Sequence, residues 1–133
     1  MKLSDVEVPV RVKLSALWAS VMFLYVYGDF FGLFKPGKLA EMQAGRTPVG
    51  ATTQGILVAF AVVMAIPSAM VFLSLVLKAN VARWANILLG LLYSAIMVIT
   101  IPGAWGFYVL LGCMEVALTL AVTWYAWTWP RSS

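Results

Sequence analysis

Two carboxylates sit inside stretches that are otherwise almost wholly apolar. Asp29 lies in the run from Leu14 to Phe34, and Glu115 in the run from Phe107 to Trp129. An acid in such a setting is expensive, so it usually faces a protein interior or a watered cavity and marks a site or a proton path. Tyr25 stands one helical turn before Asp29, Tyr108 two turns before Glu115, and Tyr93 in a third apolar run. Such rings can stack on a hydrophobic or weakly cationic molecule while a carboxylate accepts its polar or charged group. Alternatively, Tyr25 or Tyr93 donates a hydrogen bond to a carboxyl, and the acids are structural glue. Asp29 has a further reading, a surface pair with Lys35 or Lys38. No lysine or arginine lies inside any apolar run, so Glu115 has no cation to answer it.

The composition removes most other chemistries. There is no histidine, which excludes histidine-ligated haem, most zinc and di-iron sites and every histidine-based triad. The single cysteine, Cys113, can form neither an internal disulfide nor a CxxC pair. On a helix it points about 160° away from Glu115, so the two make no catalytic pair. No cofactor motif is present, and neither a cofactor nor a metal is expected.

These residues must be positioned by membrane helices. Of 133 residues, 63% are hydrophobic and 11% charged, and the mean hydropathy is +0.95. A soluble domain is about a quarter charged. Four apolar runs, at about residues 14–34, 55–77, 84–101 and 107–129, are each long enough to cross a hydrocarbon core of roughly 30 Å. Backbone groups in lipid must be satisfied internally, so the expectation is all-α: a single four-span domain over 1–133, folded as an antiparallel transmembrane four-helix bundle. The first run is longer than a signal-peptide core, and Phe30, Phe31 and Phe34 stand where a cleavage site needs small residues. Pro67 should free a carbonyl near Val63 and kink the second span. Residues 36–44 suit a short interfacial segment, with Leu39 and Met42 dipping into lipid. The alternation of Val6, Val8, Val10 and Val12 with polar residues suggests an extended arm.

Helical spacing brings Ser15, Trp18, Met22, Tyr25 and Asp29 onto one face of the first span. It does the same for Asn86, Gly90, Tyr93, Met97 and Thr100 on the third. Tyr108, Gly112, Glu115, Thr119 and Val122 share a face of the fourth. The candidate ligand-binding set is therefore Glu115, Asp29, Tyr25, Tyr93, Tyr108, Trp18, Asn86 and Thr119. Asp29 and Glu115 should lie roughly 7 and 13 Å below the outer boundary, bordering one outward-facing cavity. Gly28 and Gly32 read as a small-xxx-small packing pair.

Lys2, Arg11, Lys13, Lys78, Arg83 and Arg131 flank one side of the spans, against Lys35, Lys38 and Arg46 on the other. That excess places both termini in the cytoplasm. The net charge of +4 is topology, and no basic cluster suggests nucleic acid.

The segments Leu14-Ser-Ala-Leu-Trp18, Tyr25-Val-Tyr-Gly-Asp-Phe-Phe-Gly-Leu33 and Pro36-Gly37 resemble the opening of an uncharacterised family of small bacterial four-span membrane proteins. The resemblance covers mainly the first span and the loop after it. It implies a compact multi-pass bundle in a bacterial inner membrane and supplies no catalytic residues. The layout is more distantly similar to DoxX-like and sterol-isomerase-like bundles, by analogy alone. Small multidrug-resistance transporters share the span number but carry their glutamate in the first span, where this chain has Asp29.

Three functions compete. The first is a bundle that binds a hydrophobic or weakly cationic small molecule, and transports it if Glu115 exchanges it for a proton. The second is an accessory or assembly subunit of a larger membrane complex. The third is a cofactor-free enzyme acting on a lipid, with the acids transferring protons; it ranks last because no nucleophile or cofactor motif is present. Membrane lipids surround all three, and four spans are few enough to make a homodimer plausible.

Overall fold

The computed structural model describes residues 2–130. Its spans are α1 (Val10–Gly32), α3 (Gln54–Val76), α4 (Ala79–Thr100) and α5 (Gly106–Trp127), with a short α2 (Lys38–Gln43) and a two-strand ribbon, β1 (Arg46–Thr47) and β2 (Gly50–Ala51), between α1 and α3. All four long helices are apolar and long enough to cross a membrane. The chain is a multi-pass, all-α membrane protein.

Two helices begin earlier than the apolar runs. The arm expected to stay extended through Val12 does so only to Pro9, whose φ of −58° and ψ of 146° place it as the cap of α1. Its carbonyl accepts the amides of Val12 and Lys13, both at 3.1 Å. Proline is extended itself but leaves the residues after it free to turn, so valine alternation yields to helix from Val10. The polar link 78–83 is likewise helical from Ala79, because the Lys78 carbonyl already accepts the Ala82 amide at 2.8 Å. At the other end, the Thr53 hydroxyl caps α3 by accepting from the Ile56 amide at 3.1 Å. Gly37, at φ 83°, turns the chain into α2.

Consecutive spans run antiparallel. One face of the bundle carries the chain ends and the α3–α4 turn (the terminal face); the other carries α2, the ribbon and the α4–α5 turn (the loop face). α5 packs extensively on α4 and on α1, and α1 on α3, whereas α3 and α4 touch only slightly. In α3 the buried residues are Pro67, Met70 and Ser74, all in its terminal-face half. Its loop-face half leaves Leu57, Val58 and Val62 exposed. The bundle is thus tight at the terminal face and open beside α3 at the loop face.

Close approach of α4 and α5 depends on two glycines. A Cβ on Gly90 would run into the Thr123 hydroxyl and come within 2.8 Å of the Thr119 carbonyl. One on Gly112 would meet Ile101 Cγ1 at 2.8 Å. Without a hydrophobic drive between helices in lipid, such backbone proximity is a main source of packing energy. Gly28 and Gly32 form no comparable seam. A Cβ at Gly28 would make only an ordinary 3.5 Å contact, and at Gly32 it would meet open space.

Two arginines close the terminal face. Arg11 Nη1 donates to the carbonyls of Leu77 at 2.6 Å and Ser74 at 3.2 Å, at the end of α3. Arg83 donates from Nε to Ala126 and from Nη2 to Trp127, both at 3.1 Å, at the end of α5. Each cation donates to carbonyls of the last helical turn, Ala126 also accepting the Trp129 amide, and sits at the negative end of its dipole. Arg11 also lies over Trp129, and Arg83 over Trp84 and Trp127, at 5.2–5.4 Å.

Candidate functional site

The interior is polar at two levels. Nearer the terminal face, Trp18 Nε1 on α1 donates to Asn86 Oδ1 on α4 at 2.7 Å, and Ser74 Oγ on α3 donates to the same oxygen at 3.3 Å. The Asn86 amide donates to the Ala82 carbonyl at 2.7 Å. Trp18, Ser74 and Asn86 are each 0% exposed, so this three-helix cluster spends its polar groups on itself. Ser74 was not among the residues singled out in the sequence; its only signal was being one of two serines in an apolar span.

The second level surrounds Glu115. This residue is 2% exposed; its Oε2 is wholly enclosed and has no hydrogen-bond partner among the described residues. Buried polar atoms in native proteins are nearly always paired, and an unpaired carboxylate oxygen in a low-dielectric interior is the costliest kind of exception. Tyr25 on the buried stripe of α1 and Tyr93 on that of α4 are enclosed in the same bundle interior. One turn further along α5, Thr119 Oγ1 lies 2.6 Å from Ser94 Oγ on α4 and 2.9 Å from the Glu115 carbonyl.

The tyrosines differ in what they touch. Tyr93 donates to the Val63 carbonyl at 2.6 Å and stands edge-on to Trp18, ring centroids 6.1 Å apart. Val63 is four residues before Pro67, so its carbonyl is the one the missing proline N–H leaves free. Tyr108 is half-buried and donates to Thr100 Oγ1 at 3.3 Å. Asp29 is the residue the structure turns away: it is exposed. The buried stripe of α1 runs through Leu14, Trp18, Val21, Tyr25 and Gly28, which leaves Asp29 at its edge.

A cavity of about 470 Å³ opens at the loop face between α1, α2 and the α4–α5 turn; Tyr108 and Gly28 are in its wall. Glu115 is not, and lies two turns beyond Tyr108 on α5. The structure therefore gathers Glu115, Tyr25, Tyr93 and Thr119 inside the bundle, sets Tyr108 between them and the loop-face cavity, and engages Trp18 and Asn86 in the separate cluster below. What the inner group can do chemically is accept a proton, a cation or a hydrogen-bond donor at a buried carboxylate.

Searches against curated proteins and solved structures find no match. A family of unknown function matches the chain over residues 1–133, and the chain belongs to it: this is a member of the DUF6326 family.

Proposed function

We propose that the protein binds a hydrophobic or weakly cationic small molecule at Glu115 and, by exchanging it for a proton there, moves it across the membrane. The supporting observation is the enclosed, unpartnered Glu115 carboxyl oxygen, in the interior that also buries Tyr25 and Tyr93. A group that costs stability where it stands needs an occupant that offsets the cost, and a proton or a desolvated cation does so.

Tetraphenylphosphonium is a suitable probe, being hydrophobic and cationic. Its binding to the purified protein should strengthen as pH rises and Glu115 gives up its proton. Glu115→Gln should weaken that binding about ten-fold, the worth of one charge-assisted contact in a partly desolvated site, and flatten its pH dependence. Retention of the parent pH profile in Glu115→Gln would overturn the reading. The accessory-subunit reading is favoured by the exposed loop-face half of α3. It gains if Glu115→Leu raises thermal stability and leaves probe binding intact.

A further inference from the structure

The loop-face cavity has its own chemistry, separate from Glu115. Gly28 and Gly32 form its α1 wall, and the open space over Gly32 shows that its missing side chain leaves the concavity open. Across from them stand the rings of Trp105, Phe107 and Tyr108. Three charged residues complete the lining: Lys35, Lys38 and Glu41. Lys35 Nζ is held 5.3 Å from the centre of the Trp105 ring. The lining thus pairs an aromatic floor with a net cationic rim, at the end of the spans where a lipid headgroup region begins.

From this arrangement we infer that the loop-face cavity is a binding site for an amphiphile with an anionic head, a phosphate or carboxylate joined to an apolar tail. About 470 Å³ is enough for a headgroup and the first carbons of its tail, within the range of ordinary ligand pockets. The tail continues from the cavity into the surrounding bilayer. The ammonium groups of Lys35 and Lys38 take the anionic oxygens. Glu41 faces the head from α2 and rules out a densely charged anion, which favours a single phosphodiester or carboxylate.

Native mass spectrometry of the protein released from mixed phosphatidylglycerol and phosphatidylcholine vesicles tests this. Phosphatidylglycerol should be retained about five-fold over phosphatidylcholine, the preference expected of one net cation beside an anionic lipid. Lys35→Gln with Lys38→Gln should make the two lipids equal. Gly32→Leu should fill the cavity and lower retention of both, with thermal stability unchanged, because its side chain enters open space. Glu115→Gln should leave lipid retention unaltered, which separates this site from the one proposed above. Equal retention by the parent protein, or indifference to Gly32→Leu, would overturn the inference. Displacement of the lipid by millimolar inorganic phosphate would reassign the site to a soluble anion and overturn the amphiphile.

Discussion

Asn86 accepts hydrogen bonds from Trp18 and Ser74, and so ties three helices through one oxygen. Asn86→Ala would leave an indole N–H and a hydroxyl unpaired in an apolar interior. Each orphaned donor costs about 1–3 kcal/mol, although partners found in the unfolded-in-membrane state reduce this toward ~1 kcal/mol per bond. The expected loss is about 2 kcal/mol, read from detergent-denaturation midpoints, with Asn86→Gln recovering little because its longer arm does not fit between Trp18 and Ala82. At this scale the sequence was legible where a polar residue had nowhere else to go. Glu115, Thr119 and Asn86 are buried as their spacing suggested. Asp29 was not, for a geometric reason. Trp18 and Tyr25 belong equally to a stripe through Leu14, Val21 and Gly28 and to one through Ser15, Met22 and Asp29, a rotation of about 100° apart. Choosing the polar stripe assumed that polarity marks the interior, whereas α1 buries its aliphatic and glycine side.

Helix α3 is where local chemistry and packing conflict most. Its proline removes a hydrogen bond in the middle of a span, and the orphaned Val63 carbonyl is satisfied by Tyr93 from α4. That bond and the longer one from Ser74 to Asn86 tie two helices that otherwise hardly meet. Tyr93→Phe should therefore cost about 1 kcal/mol and speed amide exchange in the residues after Val63. Pro67→Ala restores an N–H that can reach the same carbonyl. In that background Tyr93→Phe should cost much less, so the double-mutant cycle has a coupling energy of about 0.5–1 kcal/mol. Additive costs would mean that the tyrosine hydroxyl does nothing for the proline gap. The freed carbonyl could be placed from the sequence because proline's missing donor is a fixed covalent fact. Its partner could not, since nothing in the chain's periodicity tells which neighbouring helix passes at that height. The sequence places Tyr93 as a ring to stack on a ligand, whereas the structure buries it edge-on to Trp18 with its hydroxyl committed to Val63.

For the molecule as a whole, the arrangement of cations does two jobs at once. Arg11 and Arg83 cap the carbonyl ends of α3 and α5 and lie on tryptophan faces, and Lys13 sits over Tyr125, all at the terminal face. The loop face holds Lys35, Lys38 and Arg46; Arg131 lies outside the described residues. Lysine and arginine near span ends are retained on the cytoplasmic side during insertion, and the five terminal-face cations other than Arg131 already outnumber the three opposite. The expected outcome is that both termini are cytoplasmic and the loop-face cavity external. A green fluorescent protein fused after Ser133 should fold and fluoresce, while alkaline phosphatase at the same point should be inactive and become active when fused within residues 44–50. The two arginines make this orientation resistant to change, because replacing them removes helix caps as well as charge. Arg11→Gln with Arg83→Gln should lower thermal stability before it produces any inverted population. Lys13→Gln with Lys78→Gln, which touches no carbonyl end, should weaken the topological bias alone. The opposite ranking would mean that the arginines act as topology signals and not as caps.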